Sequence, residues 1–216
     1  MLVKSMRLFN FARNILPNYI YYSMGLEIIS EHLNGLFLFK PKIHGDERGF
    51  FMETWRKDEF EKYGISANFV QDNHSRSSQN VLRGLHFQWE KPMGKLIRVT
   101  RGSCLFCELD LRPSSPSLGK SFLAELTEEN NHLLWVPPGF ANGFLTLSKS
   151  ADVQYKCTAL WNPNAESAVH WNDPELSIGW NLNNFEKKKL IISEKDQNAG
   201  SLKQWLSRPE SKFLDF

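Results

Sequence analysis

"KLIRVTRGSCLFCELDLR", residues 95–112, alternates its apolar positions around Gly102. Leu105, Cys107, Leu109 and Leu111 fall on one face, and Cys104, Phe106, Glu108 and Asp110 on the other. A repeat of two is the signature of a strand, because successive side chains point to opposite sides of a pleated backbone. The stretch predicts a hairpin-like pair of half-buried strands turning at the glycine.

Working outward, the same repeat returns in short runs: "SFLAEL" (121–126), "HLLWVPPGF" (132–140), "GFLTLS" (143–148), "DVQYKCTALW" (152–161) and "AVHWN" (168–172). Gly, Pro, Asn and Ser clusters supply turns between them. Many short strands without strand–helix–strand spacing imply an all-β antiparallel sandwich or barrel. Helix signals are sparse. "TWRKDEFEKYG" (54–64) predicts a helix stopped by Gly64, and "SLKQWLSR" (201–208) one that ends before Pro209, giving a helical tail.

At 216 residues and 41% hydrophobic, the chain can bury one sizeable core, and we expect a single domain over 24–216. Residues 1–23, "MLVKSMRLFNFARNILPNYIYYS", start basic and apolar, but Arg13, Asn14 and Pro17 break the apolar run, so they read as an appended extension. The longest apolar runs fall short of a membrane span. With 26 Lys and Arg against 24 Asp and Glu, the formal charge is +2. No basic cluster marks a nucleic-acid or membrane partner. Cys104, Cys107 and Cys157 are odd in number and lack framework spacing, which suits a reducing, cytoplasmic setting.

Several chemistries can be weighed. Cys104-x-x-Cys107 has the spacing of half a zinc or redox site, but two strand residues three apart point to opposite faces and no second pair exists. None of the histidines (His32, His44, His74, His86, His132 and His170) forms an H-x-H or H-E-x-x-H set, and no phosphate-binding or dinucleotide-binding glycine motif is present. Spacing alone leaves open a metal assembled from distant strands. What remains is a density of polar residues inside apolar strands: Arg83, His86, Lys95, Tyr155 and Lys156. Arg83 and His86 stand three apart in "SRSSQNVLRGLHFQ" (75–88). Histidine titrates where proton abstraction near neutrality is easiest, a phenol can return a proton, and cations can hold developing negative charge. Base, acid and electrophilic cation form the minimum set for removing and replacing a proton next to a carbonyl.

The runs "GDERGFFMETW", "FVQDNHSRSSQNVLRGLHFQ", "GKLIRVTRG", "VPPGFANGF", "VQYKCTALWNP", "WNDPELSIGW" and "ISEKD", in order from Gly25 to Asp196, closely resemble the dTDP-4-dehydrorhamnose 3,5-epimerase family. The resemblance implies a cupin-type jelly roll, a homodimer, a metal-free epimerase and a dTDP-linked 4-keto-6-deoxyhexose as substrate. Matched residue by residue, it makes His86 the base, Asp196 the carboxylate that orients it, Tyr155 the proton donor and Lys95 the cation at the enolate oxygen. It also implies substrate contacts from Arg48, Glu53, Gln71, Asp72, Asn73, Arg83, Glu166 and Lys195, with Trp161 stacked on the thymine where the family more often has Tyr.

The chain departs from the pattern at one position. Where the family reads Ala-His-Gly with a substrate-binding histidine, this chain has Asn142, which the match makes a substrate contact in its place; an amide still donates and accepts hydrogen bonds but cannot carry positive charge. The departure bears on which nucleotide sugar is taken. Beside the 3,5-epimerase stand a 3-epimerase, an epimerase for a GDP- or CDP-linked 4-keto sugar, and a non-catalytic sugar-nucleotide-binding cupin. A metal-dependent oxygenase would require bound metal.

Overall fold

The computed structural model describes residues 25–180 and 190–216. The expected extension, 1–23, and the domain start at Met24 lie outside the described residues. One antiparallel sheet runs β1 (Leu26–His32), β2 (Leu36–Pro41), β10 (Leu133–Val136), β7 (Lys95–Arg101), β12 (Ser150–Cys157), β5 (Gln71–Ser78). The other runs β13 (Glu166–Ala168), β6 (Val81–Gln88), β11 (Phe140–Thr146), β8 (Ser103–Asp110), β9 (Ser121–Thr127), with β14 (Ile191–Ile192) added in parallel to β6. A separate hairpin joins β3 (Ile43–Asp46) to β4 (Gly49–Met52). The two large sheets face each other in a cupin-type jelly roll: the period-two runs implied an antiparallel sandwich or barrel, and the family resemblance the jelly roll.

The 95–112 stretch is two strands, but they are not a hairpin: β7 and β8 belong to opposite sheets. Gly102 alone makes the crossing. Its φ is +70°, and a Cβ there would lie 2.2 Å from the Ser150 carbonyl oxygen, so only glycine fits the corner. The expectation of half-buried strands also fails for β8, which buries both faces. Cys104 and Phe106 enter the core between the sheets with Ile97, Leu126, Phe144 and Val153. Cys107 and Leu109 pack outward under Trp180, Leu202 and Trp205. The two cysteines therefore lie in different cores, as their spacing required.

The outer core forms because the chain folds back over the second sheet. There α3 (Leu202–Leu206) is closed by a capping box between Ser201 and Gln204, and a 3-10 helix, Pro209–Leu214, follows. Burying Trp205 against the T-shaped Phe87 ring is worth about 2–3 kcal/mol in apolar area. On the opposite side of the molecule, α1 (Lys57–Glu61), followed by Gly64 at φ +77°, sets Phe60 against Phe39, Leu96, Leu133 and Trp135. "HLLWVPPGF" is split by Pro137 and Pro138 into the whole of β10 and the first residue of β11. "AVHWN" yields only the end of β13 at Ala168, Val169 continuing as an isolated bridge to Gly200.

Candidate active site

His86 is placed by an irregularity. In β6, Arg83 pairs with Phe144 and His86 with Asn142, so three steps on β6 match two on β11. This bulge cancels the odd spacing and turns Arg83 and His86 to the same face, the face of Phe144 and the core between the sheets. The bulge needs Gly84: its φ is +109°, and a Cβ would stand 2.6 Å from the Gly143 Cα.

Asp196 reaches His86 from α2 (Glu194–Gln197), a short helix whose N-cap Ser193 accepts the Asp196 N–H. The carboxylate accepts from His86 Nε2 at 2.6 Å through Oδ1, and from the Gly84 N–H at 3.2 Å through Oδ2. Asp196 is 2% exposed. Burial pushes its pKa up, but the His86 bond and charge, the Gly84 N–H and Ser193 together hold it below the usual carboxylate range. A carboxylate on Nε2 fixes the ring proton there and leaves the Nδ1 lone pair free to take a proton.

Tyr155 on β12 and Lys95 at the head of β7 lie in the same pocket as His86, a cavity of about 390 Å³ also lined by Gln71, Asn73, Trp161 and Glu166. Lys95 Nζ sits 5.9 Å from the Tyr155 ring centre. Burial, the largest influence, raises the Tyr155 pKa, and Cys157 adds to this against the opposing pull of Asn73 and Arg83, so the phenol keeps its proton at neutral pH. Burial lowers the Lys95 pKa, with the Glu108 charge the largest opposing influence.

The remaining expected contacts divide. Trp161 is 56% exposed at the pocket edge, its backbone N–H donated to Gln71 Oε1 at 2.9 Å, so Gln71 holds the tryptophan loop. Lys195 pairs with Glu166, and Arg83 donates to Ser77 Oγ at 3.1 Å. Asp72, between Gln71 and Asn73 on β5, pairs with Lys156 at 2.9 Å and lines a neighbouring cavity instead. Arg48 lies on the exposed β3–β4 hairpin beside Asp46, and Glu53 pairs with Arg56; neither lines the pocket. Asn142 donates to Glu108 Oε1 at 2.6 Å and accepts from Lys95 Nζ at 3.4 Å. Glu108 was not anticipated: an acidic residue in an alternating strand reads as facing water, yet Glu108, like Asp110 two residues on, is wholly buried. Among the described residues, no group of three or more His, Cys, Asp or Glu could hold a metal ion.

A jelly roll with an imidazole–carboxylate pair, a phenol and an ammonium in one pocket is a cupin-type enzyme built for proton transfer. The family model for dTDP-4-dehydrorhamnose 3,5-epimerase matches residues 30–204, and the chain belongs to that family. It is 45% identical over 176 residues to the dTDP-4-dehydrorhamnose 3,5-epimerase of Methanothermobacter thermautotrophicus, covering 82% of this chain and 94% of that protein. The Escherichia coli K12 protein of the same name is 41% identical over 179 residues, 82% of this chain and 95% of that one. Among solved structures, dTDP-6-deoxy-D-glucose-3,5-epimerase of Legionella pneumophila in complex with dTDP-4-keto-L-rhamnose superposes with a TM-score of 0.80 at 40% identity, covering 87% of this chain and 97% of that one.

Proposed function

We propose that the chain inverts C3 and C5 of dTDP-4-dehydro-6-deoxy-D-glucose to give dTDP-4-dehydro-L-rhamnose. The observation that carries the reading is the 2.6 Å His86–Asp196 contact, in the pocket that also holds Tyr155 and Lys95. The ketone at C4 acidifies the hydrogens on both neighbouring carbons. His86 Nδ1 takes one of them as a proton, the C–H pair moves into the ring as an enolate, and Asp196 stabilises the imidazolium. Lys95 faces the enolate oxygen. Tyr155 then gives its phenolic proton to the carbon from the opposite face, because return from the same face regenerates the substrate. Solvent exchange afterwards resets both groups. Repetition at the second carbon completes the product.

Arg83 suits the pyrophosphate, and the flat, exposed Trp161 indole suits a thymine. We read the enzyme as a cytoplasmic homodimer of one domain, 24–216. No helix among the described residues is long and apolar enough to cross a membrane. Every residue of the β3–β4 hairpin except Met52 is exposed, with Phe50 at 64% and Phe51 at 61%, an apolar surface that a second copy would cover. Such a copy would also give Arg48 and Glu53 a route to a pocket they do not line within their own chain.

The test is incubation with dTDP-4-dehydro-6-deoxyglucose in D₂O, followed by NMR and mass spectrometry. Deuterium at C3 and C5 with inversion of both is the expected result. Deuterium at C3 alone would make it a 3-epimerase, and no exchange would remove the proposed substrate.

A further inference from the structure

We infer that Glu108 and Asn142 form a buried relay that positions Lys95 and supplies its counter-charge, and that Asn142 is therefore a structural link rather than a substrate contact. The inference rests on the proposed role of Lys95 at the enolate oxygen. Three strands carry the relay: Lys95 opens β7, Glu108 lies on β8, and Asn142 on β11 is paired across the ladder with both Glu108 and His86.

Both polar ends of Asn142 are engaged, its amide N–H toward Glu108 and its carbonyl toward Lys95. An amide in this orientation points its positive end at the carboxylate and its negative end at the ammonium, so its dipole favours the charge-separated form of the pair. Glu108 has no exposed surface, and its Oε2 has no hydrogen-bond partner among the described residues. A carboxylate buried in this way needs a charge opposite it. Lys95, held at the other end of the same Asn142 amide, is the cation whose charge acts on it.

The other groups facing Lys95 do not replace this partner. From β12 come Tyr155 and Cys157, whose pKa values burial raises and which are uncharged near neutrality. From β13 comes Glu166, already paired with Lys195. Across the pocket stands His86, bound to Asp196, and a histidine cannot offset an ammonium. Burial pushes the Glu108 carboxyl well above its usual range and pulls Lys95 down, each restrained by the charge of the other. Loss of one member therefore neutralises its partner at a pH where the intact pair is charged.

The experiment compares wild type with Glu108→Gln and Asn142→Ala. Steady-state kinetics across pH are read beside dTDP affinity and Tm. Glu108→Gln is expected to lower kcat about 10–100-fold, with dTDP affinity within about twofold, and to move the alkaline limb of kcat down by about one pH unit or more. Asn142→Ala keeps the carboxylate but breaks the link, so kcat falls with a smaller movement of that limb. An unmoved alkaline limb overturns the inference, whether kcat is intact or falls in step with Tm and dTDP affinity. Competitive labelling of Lys95, read by mass spectrometry without substrate, gives its apparent pKa directly: a lower value in Glu108→Gln supports the relay, and an unchanged one overturns it. That measurement stands even if the wild type fails to turn over the proposed sugar, so failure of the functional reading stays separate.

Discussion

His86 Nε2 and Asp196 Oδ1 meet at 2.6 Å although 110 residues separate them in the chain. Because Asp196 also accepts the Gly84 N–H, the carboxylate is tied to the bulge that aims the imidazole. It therefore sets the ring's orientation and tautomer together. Replacing His86 with Asn is expected to lower kcat about 10²–10⁴-fold with dTDP affinity preserved. Asp196→Asn keeps the shape but not the charge, and should cost about 10²-fold or more. Turnover near the wild-type rate in His86→Asn would remove the base assignment.

Tyr155→Phe separates proton removal from inversion. The base is intact in this variant, so deuterium from D₂O should still enter at C3, delivered back by His86 from the face it left. Inverted product should fall by at least about 10²-fold. NMR of the sugar ring reads both at once, and normal inversion would assign the donor elsewhere.

Acid should weaken the fold through Asp196. Its pKa is held down in the native state, so below the unfolded value of about 3.9 the unfolded chain takes up the proton first. The stabilisation is complete above that value and is lost as pH falls through the lower, folded one. Urea midpoints of wild type and Asp196→Asn should differ at pH 7 by about 1.5–3 kcal/mol in stability. The gap should close in strongly acid buffer. A constant gap would mean that the charge of Asp196 contributes nothing to folding.

The three cysteines should be silent to thiol reagents in the native protein. Burial pushes the Cys104 thiol up to about 12 and the Cys107 thiol well above its usual value, and Cys157 is raised in the same way. Since the thiolate is the reacting species, Ellman's reagent should find no equivalents before denaturation and three after it. Rapid native labelling would place at least one of these residues on an accessible face.

Alternation alone carried most of the fold, because a strand's side-chain period is fixed by backbone geometry whatever surrounds it. Which strands pair is a tertiary choice, so the sequence reading joined β7 to β8 where the protein sends them to different sheets. The burial of both β8 faces was hidden for the same reason, since the covering residues Leu202 and Trp205 come from the distant tail. At the site, the residue types of the set were legible and their convergence was not. Arg83 and His86 share a face only through a bulge that spacing does not announce. The run Gln71–Asn73 was readable in part, since alternate strand residues turn the same way: Gln71 and Asn73 line the His86 pocket, while Asp72 between them pairs with Lys156. Glu108 escaped notice because its meaning depends on Asn142, its neighbour across one ladder, and on Lys95, which comes from the facing sheet.

The single-residue crossing at Gly102 has a bearing on how the molecule reaches its native state. Because β7 and β8 leave that corner for opposite sheets, neither can use the other as a local template. β7 must wait for β10 and β12, and β8 for β9 and β11. Such a topology has high contact order, which slows the search for the native pairing. The ammonium of Lys95 and the carboxylate of Glu108 sit on the two strands that the corner divides. Recovered turnover after dilution from denaturant should thus lag behind the return of the β-sheet circular dichroism signal, making enzymatic activity the reporter of the last association between the sheets.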